Sequence, residues 1–299
     1  MKAYSRLIIA AAALALGLGT ASAQSSTTND FFNENGEIPT NLPTAYDMKD
    51  LTPIEFVNPR ADDIYWQKVV YRVIDLRERM NYPLYYPETA VDGRESFFSI
   101  LFKLINEKKV PAFRFDYTTE RFGKDDLIDF EEEVLKKFEV IYKVKTNPTT
   151  KVKTFQIEDS DIPNREVIKY YMKEVWFFDK NSSTFNVKII SICPVLVTDR
   201  GVGTQSFPLC WIPFDNLRPY LVQREVMITD KNNGARMSYD DLFIKRRFAS
   251  NIYKESNLQN RMILDYTATT GDVKREQERI QREILNEAQD VREYGYERK

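Results

Sequence analysis

The sequence predicts an α+β fold: amphipathic helices packed on an antiparallel sheet, with an extended N-terminal arm and a charged C-terminal helical tail. Three observations lead there. The chain is 42% hydrophobic and 13% aromatic, enough for a substantial core. Some segments repeat apolar residues at helical spacing, while others alternate β-branched and polar residues. The polar turn formers Lys180-Asn181-Ser182-Ser183 separate two β-prone runs, the strongest hairpin signal in the chain. No internal repeat of fixed period is present.

The first residues read as an export signal. Lys2 and Arg6 precede the uncharged apolar run Leu7 to Leu18, and Ala21-Ser22-Ala23 supplies the small-x-small cleavage pattern. Cleavage is expected after Ala23. The run is short of the roughly 20 residues that span a bilayer, and no cysteine lies near the junction to carry a lipid. The mature protein is therefore expected to be soluble and outside the cytoplasm, where disulfides are permitted. Residues 24–60 are polar and punctuated by Pro39, Pro43, Pro53 and Pro59. They read as an extended or partly disordered arm, either lying on a surface or acting as a tether.

Residues 61–266 form the expected core domain. In 61–81, Ile64, Val69, Val70, Val73, Ile74 and Met80 approach helical spacing, with Asp62 or Asp63 as cap, and predict a helix ended by Pro83. NYPLYYPE follows as an aromatic, proline-fixed turn. A second helix is predicted over 95–109, with Phe97, Ile100, Leu101, Leu104 and Ile105 on one stripe. VPAFRFDY reads as a short strand. A third helix is predicted from Asp125 through Phe138, burying Leu127, Phe130, Val134, Leu135 and Phe138. EVIYKVKT and KVKTFQIED are alternating strands. NREVIKYYM predicts a short helix before the strand KEVWFFD, the hairpin turn and the strand TFNVKIISI. PLCWIPF adds another strand, and SYDDLFIKRRFASNIYKES a last compact helix capped by Ser238. The tail, 267–299, mixes both charges around a narrow stripe of Val273, Ile280, Ile284, Ala288 and Val291. It predicts a solvated helix that either docks this stripe or frays in isolation.

Composition excludes several function classes. The chain has 43 Lys+Arg against 45 Asp+Glu, with no basic excess to suggest nucleic-acid binding. It has no histidine, which removes the Ser-His-Asp triad, Cys-His catalysis and most zinc-enzyme sites. Catalytic, cofactor-binding and metal-ligating residues are accordingly assigned to none. Asp62-Asp63, Asp125-Asp126 and Asp240-Asp241 each sit at a predicted helix start, where capping explains them better than acid–base work. Glu131-Glu132-Glu133 reads as a solvated face. Gly201-Val202-Gly203-Thr204 resembles part of a phosphate loop but lacks its lysine. Trp66, Trp176 and Trp211 suit core and interface packing or sugar stacking. Cys193 and Cys210 lie in two apolar runs that neighbouring strands could bring together. They are either a candidate disulfide or two buried thiols.

Three strings carry a family resemblance: YWQKVVYRVIDLRERMNYPLYYP (65–87), KEVWFFDKNSSTFNVKIISICP (173–194) and SYDDLFIKRRFASNIYKESN (238–257). Together, in this order, they resemble the gliding-motility protein GldN, also called PorN, of the type IX secretion system of Bacteroidota. The resemblance implies a periplasmic structural subunit that forms rings with the outer-membrane lipoprotein GldK/PorK, on the inner face of that membrane. It also implies self-association within the ring, contact with the periplasmic part of the motor protein GldM/PorM, and a role in secretion and, in some species, gliding. It implies no enzyme activity and no cofactor. Tyr82, Tyr85 and Tyr86 of the turn, and Trp176, Phe177 and Phe178 of the hairpin, are the candidate contact residues. The rival expectations are an envelope-sugar hydrolase or binding module, and a periplasmic chaperone or cargo adaptor.

Overall fold

The structure is a computed structural model. It describes residues 51–297 except 57, 92, 117–121, 137, 139, 147–152, 200–203 and 229–236. The expected signal and cleavage site, most of the arm and the Gly201–Gly203 loop lie outside the described residues. All described residues belong to one unit, Asp47–Lys299.

The centre is a seven-stranded antiparallel sheet. Its spine is a long hairpin, β5 (Val167–Asp179) and β6 (Thr184–Asp199). The predicted turn closes it, with Asp179 paired to Thr184 and the Asp179 carboxylate accepting from Asn181 N and Ser182 Oγ. β1 (Ile64–Asp75) pairs along the other side of β5, and β11 (Asn251–Glu255) pairs with β1 at the outer edge. Beyond β6 come β8 (Cys210–Pro213) and β2 (Phe113–Arg114), while β7 (Thr204–Pro208) pairs with the end of β6. Two small hairpins stand apart: β3 (Lys143–Thr146) with β4 (Lys153–Gln156), and β9 (Glu225–Val226) with β10 (Met237–Ser238).

Two sequence expectations fail here for one reason. The predicted helix over 61–81 is instead the strand Ile64–Asp75 between two 3-10 turns, Ala61–Asp63 and Arg79–Asn81, and NREVIKYYM supplies the first half of β5 after a single 3-10 turn at Asn164–Glu166. β1 and β5 have strand neighbours on both sides, and both of their faces meet apolar layers. Apolar residues on both faces fill in the period-two pattern until it resembles a helical one.

One face of the sheet meets the main core. Ile74, Tyr170, Met172, Ile192 and Ile212 pack beneath α1 (Phe97–Asn106), α2 (Phe214–Leu221) and α3 (Tyr239–Ile244). α1 forms as predicted: Ser96 Oγ accepts from Ser99 N, and its whole apolar stripe is buried. Phe97 is the hub, against Tyr170, Tyr239 and Phe243. α3 starts at its predicted cap, Ser238, but stops at Ile244, because the following residues return to the sheet as β11. The predicted third helix shrinks to a π-helical turn at Glu131–Leu135; Phe130, Val134, Leu135 and Phe138 are buried as expected, but Leu127 lies before the turn and is exposed. The opposite face carries Tyr71, Cys193 and Trp211, packed with Tyr171, Tyr253, Phe113 and Phe115.

The charged tail forms α4 (Thr270–Glu297). Among the described residues no helix is long and apolar enough to cross a membrane.

Candidate functional site

Several of the acidic residues at predicted helix starts and in the glutamate run have structural roles. Asp126 Oδ2 accepts from Gly123 N, Asp240 pairs with Arg218, and the Asp241 amide is capped by Ser238. Glu131, Glu132 and Glu133 pair with Lys153, Lys136 and Arg114. No group of three His, Cys, Asp or Glu side chains that could hold a metal occurs among the described residues. Trp211 is buried and stacked on Phe115, while Trp66 and Trp176 both pack against Phe185.

The thiols are not joined. β6 and β8 pair Ile192 with Ile212, so the register places Cys193 opposite Trp211 on one face of the sheet. Cys210 follows the parity of Ile212 and joins the main core on the other face. Each is a separate buried thiol, and the candidate disulfide is corrected: strand neighbours one step out of register point to opposite sides.

The six candidate contact residues divide. Tyr82 and Tyr86 are exposed at 44% and 54% and meet edge to face. Tyr85 is half-buried against Tyr86 and donates to Glu88. Trp176 and Phe178 are half-buried and Phe177 is buried. Trp176 already has partners within the chain: its indole N–H donates to Glu174, and Arg246 lies over its ring. The hairpin assignment therefore loses its main anchor, and the turn assignment keeps two.

Tyr82 and Tyr86 belong to a groove of about 770 Å³. Pro83, Pro87, Val226, Met227 and Ile228 give it an apolar lining, and Arg79, Arg94, Glu95 and Glu225 add charge. One helical turn, Tyr82–Tyr85, presents the tyrosines, and a cis Tyr86–Pro87 bond follows. A tight turn with Val91 and Arg94 bonded to each other forms one wall, with Gly93 at φ 73°, where a side chain would be strained. Floor and turn are fixed: Tyr239 Oη donates to Glu95 O at 2.8 Å with Pro83 O at 3.3 Å, and Asn81 Nδ2, just before the tyrosine turn, donates to Asp75 O and Ala249 O. Burial keeps the Tyr239 phenol far above its ordinary range, so it stays a neutral donor. Exposed aromatic rings on a fixed floor with mixed charge at the rim suit contact with another protein.

A second arrangement lies between the main core and α4. Glu174 has no exposed side-chain surface. Arg72 and Arg246 both pair with it. Burial pushes its pKa up, but the two guanidiniums outweigh burial and hold it below the ordinary carboxylate value. Arg72 also donates to Gln281 of α4. Sequence reading missed this cluster. Its signal was Glu174 within the β-prone run KEVWFF, at an inward position where a charge needs a partner.

α4 docks on the same sheet face as the main core, beside it. Ile280 and Ile284 are fully buried against Val70, Ile252 and Ile263, with Trp66, Trp176 and Val273 around them. Lys68 of β1 bridges Glu255 and Glu283, and Arg279 bridges Glu255, Glu276 and Glu283. Gln277 Nε2 donates to the Ile252 carbonyl of the edge strand. The docked alternative for the tail is thus the observed one, and its dock is this chain's own sheet.

No curated protein matches the chain. A family model does, described as Gliding motility associated protein GldN, over residues 59–293. That range takes in every strand of the central sheet and α1 to α3, together with most of α4. The chain belongs to the GldN family of gliding-motility and secretion-associated proteins.

Proposed function

We propose that this protein is a structural periplasmic subunit of the type IX secretion system. In this reading it forms a ring with a GldK/PorK-like outer-membrane lipoprotein, which holds it at the inner face of the outer membrane. It also contacts the periplasmic part of a GldM/PorM-like motor protein, and so couples an energised inner-membrane complex to secretion and, in gliding species, to motility. The observation that carries the reading is the family match across 59–293, which makes the whole fold the unit of function. The fold supports it. Asp240 is held in a buried pair with Arg218 and the glutamate run pairs with basic residues at the surface, while two tyrosines stand exposed on a fixed groove. A ring requires that one face of a subunit meet a different face of the next with a rotation that closes.

The test is co-expression with a GldK/PorK-like lipoprotein, followed by size analysis and electron microscopy. Large closed assemblies containing both chains are expected. Monomers only, with the lipoprotein folded, overturn the reading. So does turnover of an envelope glycan that is lost when one carboxylate is neutralised, the signature of the hydrolase alternative.

A further inference from the structure

We infer that α4 is an exchangeable arm: in an assembly, the α4 of one copy docks on the β1–β11 shelf of another. The inference concerns copies of this chain alone and does not rest on the lipoprotein ring.

Three observations carry it. The first is how α4 is held. Of its described side chains only Ile280 and Ile284 are fully buried, whereas α1 buries eight residues in ten. Beside the half-buried Val273, its remaining holds on the body are polar: Glu283 and Arg279 to Lys68 and Glu255, Gln281 to Arg72, and Gln277 to Ile252. Elements with few buried apolar contacts open locally before the rest of a fold. The second is how α4 is connected. Ile263 anchors the preceding turn in the shelf, after which Ala268, Thr269 and Thr270 are exposed. A 28-residue helix is about 42 Å long, and Ile280 and Ile284 sit roughly 15–20 Å from its start. Swinging about that exposed link carries the anchors clear of their own shelf.

The third observation names the occupant. The shelf presents Lys68 beside Glu255, around an apolar floor of Val70 and Ile252. α4 presents Glu283 to the lysine, Arg279 to the glutamate and two isoleucines to the floor. The surface that fits an emptied shelf in both charge and shape is a second α4. Exchange of an identical element between copies reuses every native contact, so it needs no new interface. A one-way exchange joins donor helix to acceptor shelf and extends to further copies. A reciprocal one closes a dimer.

Charge reversal on one side at a time separates release from exchange. The donor variant carries Arg279→Glu and Glu283→Lys. The acceptor variant carries Lys68→Glu and Glu255→Lys. Alone, each sets like charges against like, and its α4 amides should exchange with solvent while those of β5 and β6 stay protected. Mixed in equal amounts, the reversed helix meets the reversed shelf and the native helix meets the native shelf. The expected product has twice the monomer mass and protected α4 amides. A chain carrying all four changes should regain α4 protection without a partner. A mixture that stays at monomer mass while the four-change chain is protected overturns the inference, as do single-sided variants whose α4 never opens. Should a reversed chain fail to fold, isotopically light and heavy native chains are mixed at high concentration. Crosslinks from the α4 of one isotopic form to the β1–β11 shelf of the other support exchange, and crosslinks from α4 only to its own shelf overturn it.

Discussion

Glu174, Arg72 and Arg246 show how single residues hold the centre of this molecule. A carboxylate with no exposed surface is tolerable only because two guanidiniums and the Trp176 indole N–H surround it. Removing one partner from such a cluster strands the others. Glu174→Ala should lower the unfolding free energy by about 3–5 kcal/mol, measured by urea denaturation. The cysteines give the opposite expectation. Cys193 and Cys210 lie on opposite faces of the sheet, so reducing agent should leave the melting temperature unchanged. The residue scale also shows why this cluster was hidden in the sequence. Glu174 and its arginines are 102 and 72 positions apart, and only the register of β1 on β5 and the turn after α3 bring them together.

Among the elements, legibility follows how many neighbours each one has. α1 was read correctly because one face meets the core and the other meets water, and its cap is local. The β5–β6 turn was read for the same reason: Asp179, Asn181 and Ser182 satisfy one another within four residues. β1 was misread because β11, β5 and two apolar layers surround it, so Val69, Val70, Val73 and Ile74 serve different faces. α4 was read as a helix, but its dock depends on Lys68 and Glu255, far away in sequence. That dock has a definite response to acid. Burial pushes the Glu283 pKa up, but Lys68 and Arg279 together outweigh this and hold it below the ordinary 4.5. A depressed carboxylate adds stability that is complete above its ordinary value and is lost as pH falls through the depressed one. Protection factors of the α4 amides should therefore fall below about pH 4.5, ahead of those in β5 and β6. Ile280→Ala should have a similar local effect at neutral pH, costing about 2–5 kcal/mol of docking and leaving the sheet protected.

For the molecule as a whole, the question is which surface meets a partner. The family membership leaves that open, and the distribution of aromatic rings narrows it. Of 17 Tyr, 19 Phe and 3 Trp, most of those described pack into three clusters around the sheet, including Trp176 of the hairpin. Tyr82 and Tyr86 are exceptions, exposed together on a groove whose floor and turn are fixed by Tyr239 and Asn81. Fixed, exposed tyrosines lose little conformational entropy when covered, and that makes them efficient anchors. Their truncation separates folding from assembly. Tyr82→Ala with Tyr86→Ala should change the unfolding free energy by about 1 kcal/mol or less, as exposed positions do. The same pair should weaken co-assembly with the lipoprotein at least tenfold, read by titrating one partner against the other. Trp176→Ala should do the reverse, losing fold stability through Phe185 and Arg246 while leaving assembly by the folded fraction intact. If the tyrosine pair leaves co-assembly unchanged, the ring contact lies on another face of the fold.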